Sequence, residues 1–170
     1  MIQHLSGGPE LLMAYLNGTL FTPVEHALIT TALECRRLGR NHPAPTQPLA
    51  EVADGYLTAR KRPSEPGWAT TALDYLTCGY RSDDSRNRTD IRHTLTALTR
   101  HVVRSGTPPT FEAADYLDQH ARRDRQDELG PPALWSSLIT HTTDPEDLHR
   151  LAQAAKAQGL IKSAVAFYLC

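Results

Sequence analysis

The strongest constraint on this chain lies near its end, where small and apolar side chains fall at helical spacing on either side of a glycine. Leu148, Leu151, Ala152 and Ala155 recur at three- and four-residue offsets, Gly159 interrupts them, and Ala164 and Tyr168 resume four apart. That pattern predicts two antiparallel helices, over 148–158 and 161–169, which meet on alanines and so approach closely. Asp144-Pro145-Glu146-Asp147 marks the start: Asp at the N-cap, Pro next, acids in the first turn where the helix dipole favours them. A pair of this kind leaves an apolar flank that only another element or another molecule can cover.

Helix signals recur upstream. Gly7-Gly8-Pro9 opens a short apolar helix that ends at Asn17-Gly18. Thr22-Pro23-Val24-Glu25 is a capping box, followed by the stripe Ala27, Leu28, Thr31, Ala32, Cys35 and Leu38 and closed by Gly39. Residues 41–48 read as a proline-rich connector. Leu49, Val52, Ala53, Tyr56 and Leu57 then keep helical spacing, as do Trp68, Ala69, Ala72, Leu73, Tyr75 and Leu76. Residues 80–90 lack apolar periodicity and read as a loop. Residues 91–104 fit two patterns: Ile91, Leu95, Leu98 and Val102 fit a helix, whereas the threonines, Val102-Val103 and the turn Gly106-Thr107-Pro108-Pro109 fit a hairpin near 94–112, which is favoured. Further helices are expected from Phe111 onward, with Leu117 and Ala121 inward, and after Gly130-Pro131-Pro132, with Leu134, Trp135, Leu138 and Ile139 buried.

Composition narrows the class. The apolar share of 40% suffices for a core, and no run approaches the length of a membrane span, so no membrane partner is expected. The first eight residues lack the basic and apolar blocks of a secretion signal, which predicts a cytoplasmic location. Cys35, Cys78 and Cys170 are odd in number and widely spaced, so buried free thiols are expected at Cys35 and Cys78 rather than a disulfide framework. The net charge of −1 is far from the imbalance of a strong polyanion binder.

Residues Leu148 to Tyr168 resemble a tetratricopeptide repeat, with Leu148, Leu151, Ala152, Ala155, Ala164 and Tyr168 at its consensus positions. A wider resemblance rests on Ala32-Leu33-Glu34-Cys35-Arg36-Arg37-Leu38-Gly39, Val52-Ala53-Asp54-Gly55-Tyr56-Leu57, Trp68-x3-Ala72-Leu73-x-Tyr75, Ala114-Asp115-Tyr116-Leu117-Asp118-Gln119-His120 and Pro131-Pro132-Ala133-x-Trp135. Together these are similar to a helical segment of actinobacterial multidomain regulators, in which a signal-transduction ATPase precedes helical repeats. That likeness implies a sensor or oligomerisation module beside a motor. The chain has no Gly-x4-Gly-Lys-Ser/Thr loop, so no nucleotide site carries over.

No catalytic constellation emerges. The eight histidines fall in no zinc-ligand spacing, no Gly-x-Ser-x-Gly elbow exists, and Asp144 with Asp147 is explained by capping and Asp118 by pairing with Arg122. Tyr56, Trp68, Tyr75, Tyr116, Trp135 and Tyr168 sit at apolar helical positions and are assigned to core packing. Catalytic, cofactor and metal sites are therefore expected to be absent.

Basic side chains offer the main alternative. Arg36, Arg37 and Arg40 end one helix and Arg60, Lys61 and Arg62 another; helices over 23–38, 48–58 and 66–78 followed by a hairpin follow the order of a winged helix, with Arg81, Arg86, Arg88, Arg92, Arg100 and Arg104 around the wing. The third helix, however, begins without a base-reading Arg, Asn or Gln. The expected architecture is mostly α: a helical, winged-helix-like bundle with a small β-hairpin over 1–115, then tetratricopeptide-like helical pairs over 116–170. The expected function is a non-enzymatic module of a regulatory or signalling system that contacts another protein, a peptide or a second copy of itself. A DNA-binding transcriptional regulator is the other reading, with Arg36, Arg37, Arg40, Arg60, Lys61 and Arg62 on the nucleic acid.

Overall fold

The structure, a computed structural model, describes residues 7–18, 20–78, 96–102, 104 and 106–170. Within them eight helices and three short strands follow the order α1 (Gly7–Asn17), α2 (Pro23–Leu38), β1 (Ala44–Pro45), α3 (Thr46–Tyr56), α4 (Trp68–Cys78), β2 (Leu98–His101), β3 (Thr110–Ala113), α5 (Asp115–Asp124), α6 (Pro132–His141), α7 (Pro145–Ala157) and α8 (Ile161–Leu169). The mostly α architecture with a small hairpin is the one the residue pattern predicts. No helix of the described residues is long and apolar enough to cross a membrane.

Helix α2 is the spine. Thr22 caps it as expected, its hydroxyl accepting from the Glu25 amide while Glu25 reaches back to the Thr22 amide at 2.8 Å. Leu28, Ile29 and Leu33 have no exposed surface, and Thr31 and Glu34 are buried beside them. A helix buried nearly all round must satisfy its polar groups internally. Thr31 donates to the Ala27 carbonyl at 2.8 Å, and Thr30 donates to the His26 carbonyl at 2.8 Å while its oxygen lies 2.9 Å from the Tyr15 hydroxyl. The His26 ring stacks on Tyr15 at 4.5 Å, and burial lowers its pKa.

The hairpin reading is correct. Strands β2 and β3 pair antiparallel with Leu98 opposite Ala113 and Arg100 opposite Phe111, and Leu98, Phe111 and Ala113 are buried. The supposed connector 41–48 supplies a third strand instead, Ala44 lying opposite Phe111 and Pro45 opposite Thr110, so the sheet order is β1-β3-β2. Pro45 is tolerated because β1 is an edge strand. The series α2-β1-α3-α4-β2-β3 follows the element order of a winged helix. The predicted helix from Phe111 starts only at Asp115, since Phe111 and Ala113 are spent on the sheet. The loop expected over 80–90, and the wing arginines from Arg81 to Arg92, fall outside the described residues.

Two apolar cores share the spine. One gathers Leu28, Leu33, Leu49, Leu73, Phe111 and Leu117; the other gathers Cys35, Leu38, Val52, Leu134, Leu151 and Phe167. Leu117 and Ala121 place α5 in the first core, and α2 and α3 contribute to both. The terminal pair packs as predicted, Ala152, Ala155 and Ala164 forming its buried seam and the Trp135 and Phe167 rings meeting edge-on at 6.3 Å. Cys35 is buried, which pushes its thiol up to about 12. Cys78, expected inside, is exposed.

Candidate functional site

The six candidate nucleic-acid residues separate into two groups. The Arg37 side chain is 6% exposed, its Nε donating to Glu34 at 3.1 Å and its NH1 to the Gln126 carbonyl at 3.2 Å. Arg36 pairs with Glu112 and lies 3.6 Å from Asp118. Arg40 is 7% exposed. Arg36 and Arg37 lie in the last turn of α2 and Arg40 just beyond it, and each is engaged by neighbouring groups of the fold. Arg60, Lys61 and Arg62 are exposed in the turn between α3 and α4, with Arg62 held 3.1 Å from Asp54. On α4 itself Thr70, Thr71 and Asp74 are exposed, and Asp74 engages Arg100 of β2 at 3.3 Å. The winged-helix order is therefore present, while the helix in the reading position presents a neutral-to-acidic face.

A denser set of polar contacts ties the end of α2 to α7. Gly39 adopts φ +120°, and a Cβ there would sit 2.7 Å from Arg150 Cβ, so only glycine lets the two segments approach. Asp147, buried at the first turn of α7, accepts from the Asn41 amide at 3.1 Å, the His42 amide at 3.2 Å, His42 Nδ1 at 2.8 Å and Arg150 at 3.2 Å. Arg150 also donates to the Gly39 carbonyl at 3.3 Å. Burial pushes the Asp147 carboxyl up, but these donors outweigh it and hold the group below its ordinary value. His42 moves the other way, raised by its bond to Asp147.

No protein-family model, curated protein or solved structure matches this chain.

Among the described residues, the ligand atoms of His42, Asp144 and Asp147 lie within 4.8 Å of one another, a grouping that could in principle hold a cation. His42 Nδ1, Asp144 Oδ1 and both Asp147 oxygens already take part in hydrogen bonds. Asp144 Oδ1 accepts from the Glu146 and Asp147 amides at 3.0 Å each, the cap read from the sequence, and both Asp147 oxygens are taken. The geometry is that of a hydrogen-bonded clamp. Asp118, likewise, pairs with Arg122 at 2.9 Å as its spacing indicated.

Among the described residues, an apolar flank of the terminal helical pair stands exposed, as the residue pattern led one to expect, though the pattern did not show which side chains form it. Ile161, Val165, Tyr168 and Leu169 of α8 are 59%, 51%, 58% and 82% exposed, at offsets that align them along one flank. Tyr168, assigned to the core from its spacing, stands on that flank with its ring edge-on to His149 at 6.2 Å. Tyr116 is also exposed, packed over Gly8. The available signal was that α8 carries more apolar positions than one packing face can use.

Proposed function

We propose that the chain is a non-enzymatic protein–protein interaction module of a regulatory or signalling system, contacting another protein, a peptide or a second copy of itself through the outer flank of α8. One observation carries this reading: the contiguous stripe Ile161, Val165, Tyr168 and Leu169 beside an alanine seam that is already filled. A helical hairpin of tetratricopeptide character uses such a flank to stack on the next element. The experiment is site-specific: a photo-crosslinking residue at Val165 of the full chain, compared with one at the exposed polar position Gln153 of α7. A discrete crosslinked species at Val165 only, lost when Ile161→Asp is added, supports the reading. Equal labelling at both positions, or catalytic turnover by the purified chain, would refute it.

The winged-helix order and the exposed Arg60, Lys61 and Arg62 favour a second reading, a DNA-binding transcriptional regulator. Its signature is duplex binding that weakens steeply with salt and disappears on charge reversal at those three residues. Binding without a salt slope would remove it.

A further inference from the structure

Arg40 presents a problem in charge balance that the interaction surface does not address. Its side chain belongs to a residue only 7% exposed, yet no carboxylate of the described residues lies within 4 Å of its guanidinium. Its contacts are with neutral oxygens: Nε donates to the His42 carbonyl at 3.3 Å, and NH1 reaches Thr142 Oγ1 at 3.5 Å. A guanidinium has five N–H donors, and a buried one without a counter-ion is costly. Arg37 and Arg125 nearby meet that need with Glu34, which makes Arg40 the exception.

Arg40 also lines a cleft of about 450 Å³ between the α2–β1 loop and the α6–α7 loop, a volume suited to a small molecule. Around it stand His42, His141, Thr142 and Thr143. The same cleft carries two acids: Asp147 is engaged by His42, Arg150 and two amides, and Asp144 Oδ1 by the two amides it caps. Thr142 accepts from Arg40, so its own proton remains available to a ligand. A guanidinium, two hydroxyls and two imidazoles arranged around one space suit an oxyanion with acceptors in three dimensions better than a planar carboxylate.

We propose that this cleft binds the phosphoryl group of a small molecule, with Arg40 as its counter-charge. The test titrates the full chain with inorganic phosphate, and separately with ribose 5-phosphate, against potassium chloride of equal ionic strength. Either ligand is expected to raise Tm saturably, by about 5–10 °C at a hundredfold excess over Kd. Tighter binding of the ester marks a phosphomonoester ligand, and equal or tighter binding of phosphate marks the free ion. Arg40→Gln should weaken binding at least tenfold and Thr143→Val severalfold, while Arg104→Gln on the wing should change nothing. Because Arg40→Gln removes a buried group, the imidazole resonances of the unmodified chain give a second readout. Phosphate should shift those of His42 and His141 and leave His149 unmoved. Stabilisation no greater than with chloride, an undiminished effect in a folded Arg40→Gln, or shifts spread over all imidazoles would overturn the proposal.

Discussion

Glu34 has no exposed surface and stands between two cations, Arg37 and Arg125, the latter at 2.7 Å. Each guanidinium extends the bond further: Arg37 to the Gln126 and Glu128 carbonyls, Arg125 to the Glu128 carboxylate at 3.2 Å. The loop after α5 is thereby pinned to the spine. Glu34→Ala would strand both cations and is expected to cost about 3–5 kcal/mol, read from urea denaturation; a loss under about 1 kcal/mol would mean water already screens the group. His42 adds a dependence on pH. Its folded pKa lies above the ordinary 6.5, so the His42–Asp147 bond contributes fully below pH 6.5 and fades as pH rises through the higher folded value. Asp147 has the opposite sign, its contribution present above 3.8 and lost as pH falls through the lower folded value. Denaturation midpoints are expected to fall between about pH 6 and 9, and to fall less in His42→Gln. Parallel profiles for the two proteins would show that this imidazole does not titrate into the bond.

At the level of elements, close approach decides which substitutions the fold tolerates. The α7–α8 seam has room for methyl groups only, Ala152 and Ala155 being fully buried. Ala152→Leu is expected to cost about 1–3 kcal/mol by overpacking, lowering Tm by about 2–4 °C per kcal/mol. An unchanged melting temperature would mean that the pair separates freely. Gly39 plays the corresponding part between α2 and α7. There φ is +120°, and a methyl carbon added to the glycine would lie 3.2 Å from the Arg150 backbone, so both conformation and space oppose a side chain. Gly39→Ala should therefore destabilise by more than the ~1 kcal/mol of an ordinary helix-end change, seen as a lower urea midpoint with the spine helix intact by circular dichroism.

Over the whole molecule the two cores are not independent, because α2 and α3 supply side chains to both. Calorimetry of the full chain is expected to show one transition; two resolved transitions would mean that the cores melt separately. A chain ending at Thr143 would uncover Cys35, Leu38, Val52 and Leu138 and should melt at lower temperature and bind a hydrophobic dye. Local chemistry was readable from the residues alone: the capping box at Thr22 and the cap at Asp144 follow from interactions within a few positions, and the alanine seam and the hairpin from side-chain periodicity and an intervening turn. The third strand at Ala44–Pro45 was not readable, because a two-residue edge strand has no periodicity and exists only through β3. Nor was the fate of the basic residues. Arg36, Arg37 and Arg40 share a helix end with the look of a surface patch, yet their exposure depends on Glu112, Glu34 and the α6–α7 loop, all but Glu34 distant in the sequence. Apolar spacing likewise placed Tyr168 on a helix face without telling which face would be covered. Periodicity and capping are local energies carried by neighbouring side chains, whereas burial of a charge or exposure of an apolar flank depends on segments brought together only by the packed fold.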